Sequence, residues 1–333
     1  VTQSFLYSFL TCRIQCYLSY VEGWGPKQQS FYFEFGHTIH YVLSRAYAQP
    51  RPPLPGVILS YIREYEDIRE KQKHNFSNID YAQQELIFGI AEVILPKYFQ
   101  KYNSDWMNNW IYNETNFSVP YGFTDDTQSK VRGRFDGGFI TPKNKLWLID
   151  TKCLSMIDEE AILAVLPHDM QVMVYLWAAK HLIIDHNKSV KTSTFVGDSK
   201  REFIDAGCPS GIIYNIIRRP GQRRKKDESL KNFCERITDD ITKDMDHYFI
   251  RMPVPITKTE LDNWEREQFR PLMYEVRRWY ERGFPSYLNP NALVSKYGRC
   301  GLFDLITRGD KSKYFKRKAA FTELEDNENT LDL

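Results

Sequence analysis

Cysteine is scarce and scattered. The six thiols (Cys12, Cys16, Cys153, Cys208, Cys234 and Cys300) show no dense spacing, and a chain of 333 residues needs no disulfide staples. Reduced thiols in a cytoplasmic setting are expected. No uncharged apolar run reaches the roughly 20 residues of a bilayer-spanning helix. The apolar opening "VTQSFLYSFLTCRIQCYLSY" carries neither a leading basic segment nor a small-residue cleavage site, so it reads as an amphipathic helix, and no membrane partner is expected. Neither sign of charge dominates: 45 basic residues stand against 43 acidic ones, and the net charge of +2 does not by itself announce a polyanionic partner. There is no internal repeat and no P-loop, so any ATP-driven unwinding would have to come from another chain.

What is present is enough for a packed core: 42% of residues are hydrophobic and 15% aromatic, mostly Tyr and Phe. Charge is uneven along the chain. Arg218, Arg219, Arg223, Arg224, Lys225 and Lys226 fall within "RRPGQRRKK", whereas the last residues, "ELEDNENTLDL", are acidic. The basic run reads either as a solvated loop or as a nucleic-acid-binding flank of a cleft. The acidic tail, 321–333, is expected to be disordered.

Apolar residues recur at helical spacing over 4–21, 28–48, 57–74 and 79–103. The period then changes. Residues 109–121 alternate like a strand, "VRGRFDGGFI" is a second strand, and "LWLIDTKCL" is a third, followed by a short helical connection. "HDMQVMVYLWAAKHLI" predicts a helix, "GIIYNIIRR" at 211–219 a buried strand, 229–249 an amphipathic helix, and 259–283 a long final helix. This order predicts one α/β unit over 1–320, a mixed central sheet wrapped in helices. A helical N-terminal part occupies 1–105, a core 106–220, and a C-terminal helical part 221–320.

The stretch "GRFDGGFITPKNKLWLIDTKC", residues 133–153, places charge inside apolar strands. If "TPKNK" is a symmetric turn, Ile140 faces Leu146 and Asp136 faces Asp150, with Cβ atoms roughly 4.5–5.5 Å apart. Lys152, two residues on, shares their face. Two opposed carboxylates in a sheet are costly. One could be protonated, Lys152 could neutralise part of the charge, or a divalent cation could lie between them, for which Mg²⁺ or Mn²⁺ suits hard oxygen ligands. An Asp-x-Lys tripeptide alone is more often a solvated pair, but Leu146, Trp147, Leu148 and Ile149 mark a central strand, where free charge is rare. Gly137 and Gly138 leave room beside Asp136 for a ligand to approach. Gln171 and Tyr175, at i and i+4, share one face of the next helix. The plain reading there is an exposed Gln and a core Tyr.

Taken in order, Asp136, Asp150-x-Lys152 and Gln171-x-x-x-Tyr175 resemble the PD-(D/E)xK nuclease superfamily, specifically its RecB-like exonuclease branch. "FGHTIHYVL" supplies that branch's G-x-x-x-H with Gly36 and His40; His37 does not fit the spacing. "NETNFSVPY" resembles its first core strand, where Glu114 often has a counterpart. The resemblance covers residues 5–180 well. It implies a restriction-endonuclease-like fold and metal-dependent hydrolysis of DNA phosphodiester bonds. Asp136, Asp150, the backbone carbonyl of Thr151 and His40 would hold Mg²⁺ or Mn²⁺, the imidazole favouring Mn²⁺. Lys152 would position the attacking water and stabilise the phosphate, and Gln171 and Tyr175 would orient Lys152 or the nucleic-acid backbone. Many relatives carry an iron–sulfur cluster. Here only Cys12 and Cys300 stand at matching positions, and a cluster needs about four thiolates, so none is expected. The C-terminal segment would close instead through Leu302, Phe303 and Leu305.

Three functions follow. The first is an exonuclease in DNA processing, repair or recombination. The second is a catalytically silent nucleic-acid-binding or structural module of the same fold. The third is the nuclease subunit of a helicase–nuclease complex, with a helicase or recombination protein as partner.

Overall fold

The computed structural model describes residues 1–27, 31–71, 81–124, 128–192, 207–295 and 298–316. The acidic tail at 321–333 lies outside the described residues, as do the end of the helix expected at 57–74 and the starts of those expected at 28–48 and 79–103.

A five-stranded sheet lies between two helical layers. Its strands are β1 (Asn109–Gly122), β2 (Gln128–Ile140), β3 (Leu146–Leu154), β4 (Gly211–Arg218) and β5 (Phe249–Pro255), in the spatial order of the sequence. Pairing is antiparallel throughout except for β3 with β4, which run parallel. That pair needs a crossover, supplied by the helices α5 (Glu159–Val165) and α6 (Met170–Thr192). On one face, α6 presents an unbroken buried run from Val172 to Ala179. A helix apolar all round must be covered all round. The sheet covers one side, and α1 (Gln3–Thr11), α8 (Lys258–Trp264) and α9 (Arg270–Glu281) supply Phe5, Phe9, Trp264 and Trp279 to the same cluster. On the other face, α2 (Phe31–Tyr47), α3 (Pro55–Lys71), α4 (Tyr81–Lys101) and α7 (Leu230–Lys243) form a second cluster. In α2 the spacing of Phe35, Ile39, Val42, Leu43 and Ala46 gives the buried stripe. Each large side chain sealed in these layers contributes about 1.5–3 kcal/mol.

The mixed α/β sheet agrees with the sequence reading, and the hairpin register runs from Ile140↔Leu146 to Gly137↔Ile149 as counted. Several elements differ. The expected 4–21 helix breaks at Cys12, whose backbone is extended, and resumes as a short helix, Arg13–Cys16, and a π turn, Tyr17–Val21. The amphipathic helix expected to 249 ends at Lys243, and Phe249–Pro255 is a strand, not a helix end. Its two prolines are tolerated because β5 is an edge strand. The final helix is split by a π turn at Glu265–Phe269. The C-terminal segment closes on the N-terminal region: Tyr314–Lys316 pairs with Trp24–Pro26, and Leu302, Leu305 and Tyr314 pack with Leu18 and Trp24.

The space expected beside Gly137 and Gly138 is filled. A Cβ at Gly137 would meet Ile149 Cγ2 at 2.6 Å, and one at Gly138 would meet Tyr112 Cδ2 at 2.6 Å. These glycines admit neighbouring side chains, not a ligand. Gly138→Ala is therefore expected to destabilise the fold by about 1–3 kcal/mol through overpacking. Urea denaturation would check this, and an unchanged midpoint would count against it.

Candidate active site

The β2–β3 ladder ends at Gly137↔Ile149, one residue short of Asp136 and Asp150. Beyond that point the backbone is free to serve side chains. Thr151 N–H donates to Asp136 Oδ2 at 2.8 Å, fixing that carboxylate across the opening. Asp150, 1% exposed, meets Lys152: Nζ donates to Oδ1 at 3.0 Å. Gln171 closes the group. Its Oε1 accepts from Lys152 Nζ at 2.9 Å, and its Nε2 donates to Asp150 Oδ1 at 3.2 Å and to the Tyr175 hydroxyl at 3.1 Å. Asp169, which the sequence reading passed over, starts α6 by accepting from Gln171 N–H and Val172 N–H. An Asp just before an apolar helix is a recognisable cap.

His40 enters from α2. Its Nδ1 lies 2.8 Å from Glu114 Oε1 and 3.7 Å from Asp136 Oδ2, and its Nε2 lies 3.1 Å from the Thr151 carbonyl oxygen. His37 is exposed. A carboxylate and a carbonyl can only accept, so the hydrogen-bond network assigns a proton to both ring nitrogens and makes the ring an imidazolium. Burial opposes the charged ring, but Asp136 and the bond to Glu114 outweigh it, raising the pKa to about 9. Burial raises that of Asp136 from 3.8 to about 7, with Asp150 and Glu114 pushing the same way and His40 opposing them. Glu114 is lowered: burial opposes this, and His40 prevails. Lys152 is raised: burial opposes this, and Asp150 and Asp136 prevail. Burial also raises the Tyr175 phenol.

Glu114 was left out of the ligand set read from the sequence. The β1–β2 register places it: between the pairs Asn113↔Gly137 and Thr115↔Phe135, Glu114 stands across from Asp136, and at φ 47° its backbone leaves the strand conformation there for the left-handed region. A non-glycine residue in that region costs about 1–3 kcal/mol and marks a functional constraint. Arg134 Nε, 2.8 Å from Glu114 Oε2, adds a half-exposed cation at the mouth.

The donor set fits a divalent cation. His40, Glu114 and Asp136 each offer a ligand atom within 4.8 Å of one another. Asp150 Oδ2 is buried 2.9 Å from Lys152 Nζ yet makes no hydrogen bond. An imidazolium beside two carboxylates supplies positive charge where an ion would. Metal binding should therefore expel a proton. Above about pH 7 Asp136 is ionised while His40 stays charged to about pH 9, so between these values one proton leaves per ion. Mn²⁺ affinity is expected to rise about tenfold per pH unit in that window. Calorimetry in buffers of different ionisation enthalpy would measure the proton count; affinity independent of pH would contradict the assignment.

A sequence-family model described as the PD-(D/E)XK nuclease superfamily matches residues 1–279. The chain belongs to that superfamily. No curated protein matches it. As a PD-(D/E)XK nuclease it is a metal-dependent phosphodiester hydrolase with a nucleic-acid substrate. The matched span contains every site residue described above. Among the described residues of this nuclease no single helix is long and apolar enough to cross a membrane.

The basic run begins at the same end of the sheet, since Arg218 pairs with Leu154, two residues past Lys152. Not all of it is available to a ligand. Arg218 donates to the His247 and Ser155 carbonyls, and Arg224 to that of Glu228. The Arg219 backbone N–H donates to Leu154 O, and Arg223, Arg224, Lys225 and Lys226 are exposed.

Proposed function

We propose that this nuclease is a Mg²⁺- or Mn²⁺-dependent deoxyribonuclease of the RecB-like branch, acting as an exonuclease in DNA processing, repair or recombination. The observation that carries the reading is the joining of Asp136, Asp150, Lys152, Gln171 and Tyr175 with His40 and the Thr151 peptide at one end of the sheet. Asp136, Asp150, His40 and the Thr151 carbonyl would hold the ion, with Glu114 beside them. When bound, such an ion lowers the pKa of water and offsets charge on the phosphate. Lys152, held between Asp150 and Gln171, places its ammonium for the attacking water and the developing charge. Gln171 fixes Lys152, and Tyr175 fixes Gln171. Arg223, Arg224, Lys225 and Lys226 are exposed and could meet phosphates along the strand, with Arg218 and Arg219 beginning the same run and Arg134, paired with Glu114, at the mouth.

The iron–sulfur cluster of many relatives has no counterpart in this reading. Cys12 and Cys300 alone stand at its positions, and apolar packing of Leu302 and Leu305 against Leu18 and Trp24 takes over the tie between the chain ends.

The test is incubation of end-labelled linear DNA and closed circular DNA with Mg²⁺, Mn²⁺ or a chelator. Linear DNA should be degraded only with metal, and circles should survive. Nicking of circles would overturn the exonuclease reading. Salt-sensitive binding without cleavage under either metal would favour the silent binding module.

A further inference from the structure

Thr151 serves the site on both sides of its backbone: its N–H holds Asp136, and its carbonyl faces His40. What holds the Thr151 side chain comes from the next two strands of the sheet. The register places Thr151 directly opposite Asn215 on β4, and Asn215 directly opposite Arg251 on β5. These three side chains form a continuous polar row across the sheet. Asn215, fully buried, donates from Nδ2 to Thr151 Oγ1 at 3.1 Å and accepts at Oδ1 from Arg251 Nε at 3.2 Å. Because arginine only donates, the Asn215 amide has one permitted orientation, and its NH₂ must face Thr151. Arg251 is itself fixed. Its two terminal nitrogens pair with both oxygens of buried Asp105 at 2.7 Å each, one of them also donates to Tyr98, and the guanidinium lies 3.6 Å over the Tyr102 ring. Tyr47 donates to Asp105 at 2.5 Å.

A buried ion pair of this kind is a poor source of stability, since desolvation offsets most of its attraction. A lone Asn at zero exposure adds nothing to an apolar layer. What the row does provide is geometry. A β-branched Thr has a stiff χ1, so fixing Oγ1 fixes the peptide groups on either side. We infer that Asn215 and Arg251 are positioning residues for the metal site, acting through Thr151, with Asp105 as their anchor. The inference rests on the metal-dependent reading above.

The experiment measures Mn²⁺ binding directly, by calorimetry on the full chain without DNA, together with the Mn²⁺ concentration giving half-maximal cleavage. Asn215→Leu and Thr151→Val each remove the bond between the two side chains at similar volume. Each is expected to weaken Mn²⁺ by about 10-fold, the lower end of what supporting groups around metal ligands contribute. The double variant should be no weaker than either single one, because both remove the same bond. Tyr98→Phe loosens the Arg251 surroundings but leaves the row intact; it should lower the thermal midpoint and leave Mn²⁺ affinity unchanged. KM for DNA should stay constant in all of them. Unchanged Mn²⁺ affinity in Thr151→Val would overturn the inference, even if Asn215→Leu fails to fold, and so would an equal loss in Tyr98→Phe. If the wild-type chain binds no Mn²⁺ at all, the metal-dependent reading itself fails, which is a different result.

Discussion

Asp136→Asn should abolish cleavage and yet make the metal-free protein more stable at pH 8. The loss of activity, expected to exceed about 10³-fold, follows from removing a carboxylate that would grip the ion and whose position is set by Thr151 N–H. The gain in stability follows from linkage. Burial, reinforced by Asp150 and Glu114, raises the Asp136 pKa from 3.8 to about 7. An acid whose folded pKa lies above its unfolded one favours folding only while protonated. Stability is lost as pH rises from about 4 to about 7, and the full penalty, on the order of a few kcal/mol, applies above that. Asparagine does not titrate. Its advantage over Asp136 should be absent near pH 4 and largest above pH 7. Thermal unfolding with chelator at pH 4 and pH 8 would check this. Adding Mn²⁺ should then raise the midpoint of the wild type more than that of the variant. An active site that destabilises its own fold until it is loaded is the usual trade of stability for function. Equal midpoints at both pH values would contradict this account of the site's charge.

Lys152→Met should damage activity somewhat less and for a different reason, and unlike Asp136→Asn it should destabilise. The ammonium is 2.9 Å from Gln171 Oε1 and 3.0 Å from Asp150 Oδ1. Without it, cleavage is expected to fall by about 10²–10³-fold, the cost of losing one well-placed charge-stabilising group. Asp150 is then left 1% exposed with Gln171 Nε2 donating to Oδ1 and Oδ2 unbonded. Breaking a buried pair from one side costs about 3–5 kcal/mol; the 29% exposure of the Lys152 side chain places this case at or below the lower end. The double variant Asp150→Asn with Lys152→Met should recover most of that stability and none of the activity. Chemical denaturation and single-turnover cleavage, run side by side, separate the two effects. A Lys152→Met protein that still cleaves at the wild-type rate would remove Lys152 from the mechanism.

The reach of the sequence was set by local geometry. The hairpin could be counted because its turn is self-contained: Thr141 N–H bonds the Lys145 carbonyl, Asn144 sits at φ 57°, and the ladder follows residue by residue. Gln171 and Tyr175 could be aligned because a helix fixes i and i+4. Glu114 could not, since it meets Asp136 and His40 only through the β1–β2 register and the docking of α2, which no local pattern fixes. β5 was hidden because "FIRMPVP" carries two prolines, and only its place at the sheet edge makes them acceptable. With β5 unseen, Arg251 had no position, and the row from Asp105 to Thr151 was invisible although all its residues are in the sequence. Gly137 and Gly138 were misread because the side chains that fill their space, Trp110, Tyr112, Leu148 and Ile149, belong to neighbouring strands.

The central claim is that Asp136 and Asp150, with His40 beside them, would hold one divalent ion at this end of the sheet. Crystals soaked with Mn²⁺ and measured for anomalous scattering test it most directly. The account predicts a single strong peak within about 2.0–2.6 Å of a carboxylate oxygen from each aspartate, the range for hard cations on oxygen. A peak away from the two aspartates, or no peak there in protein that cleaves DNA with Mn²⁺, would contradict it.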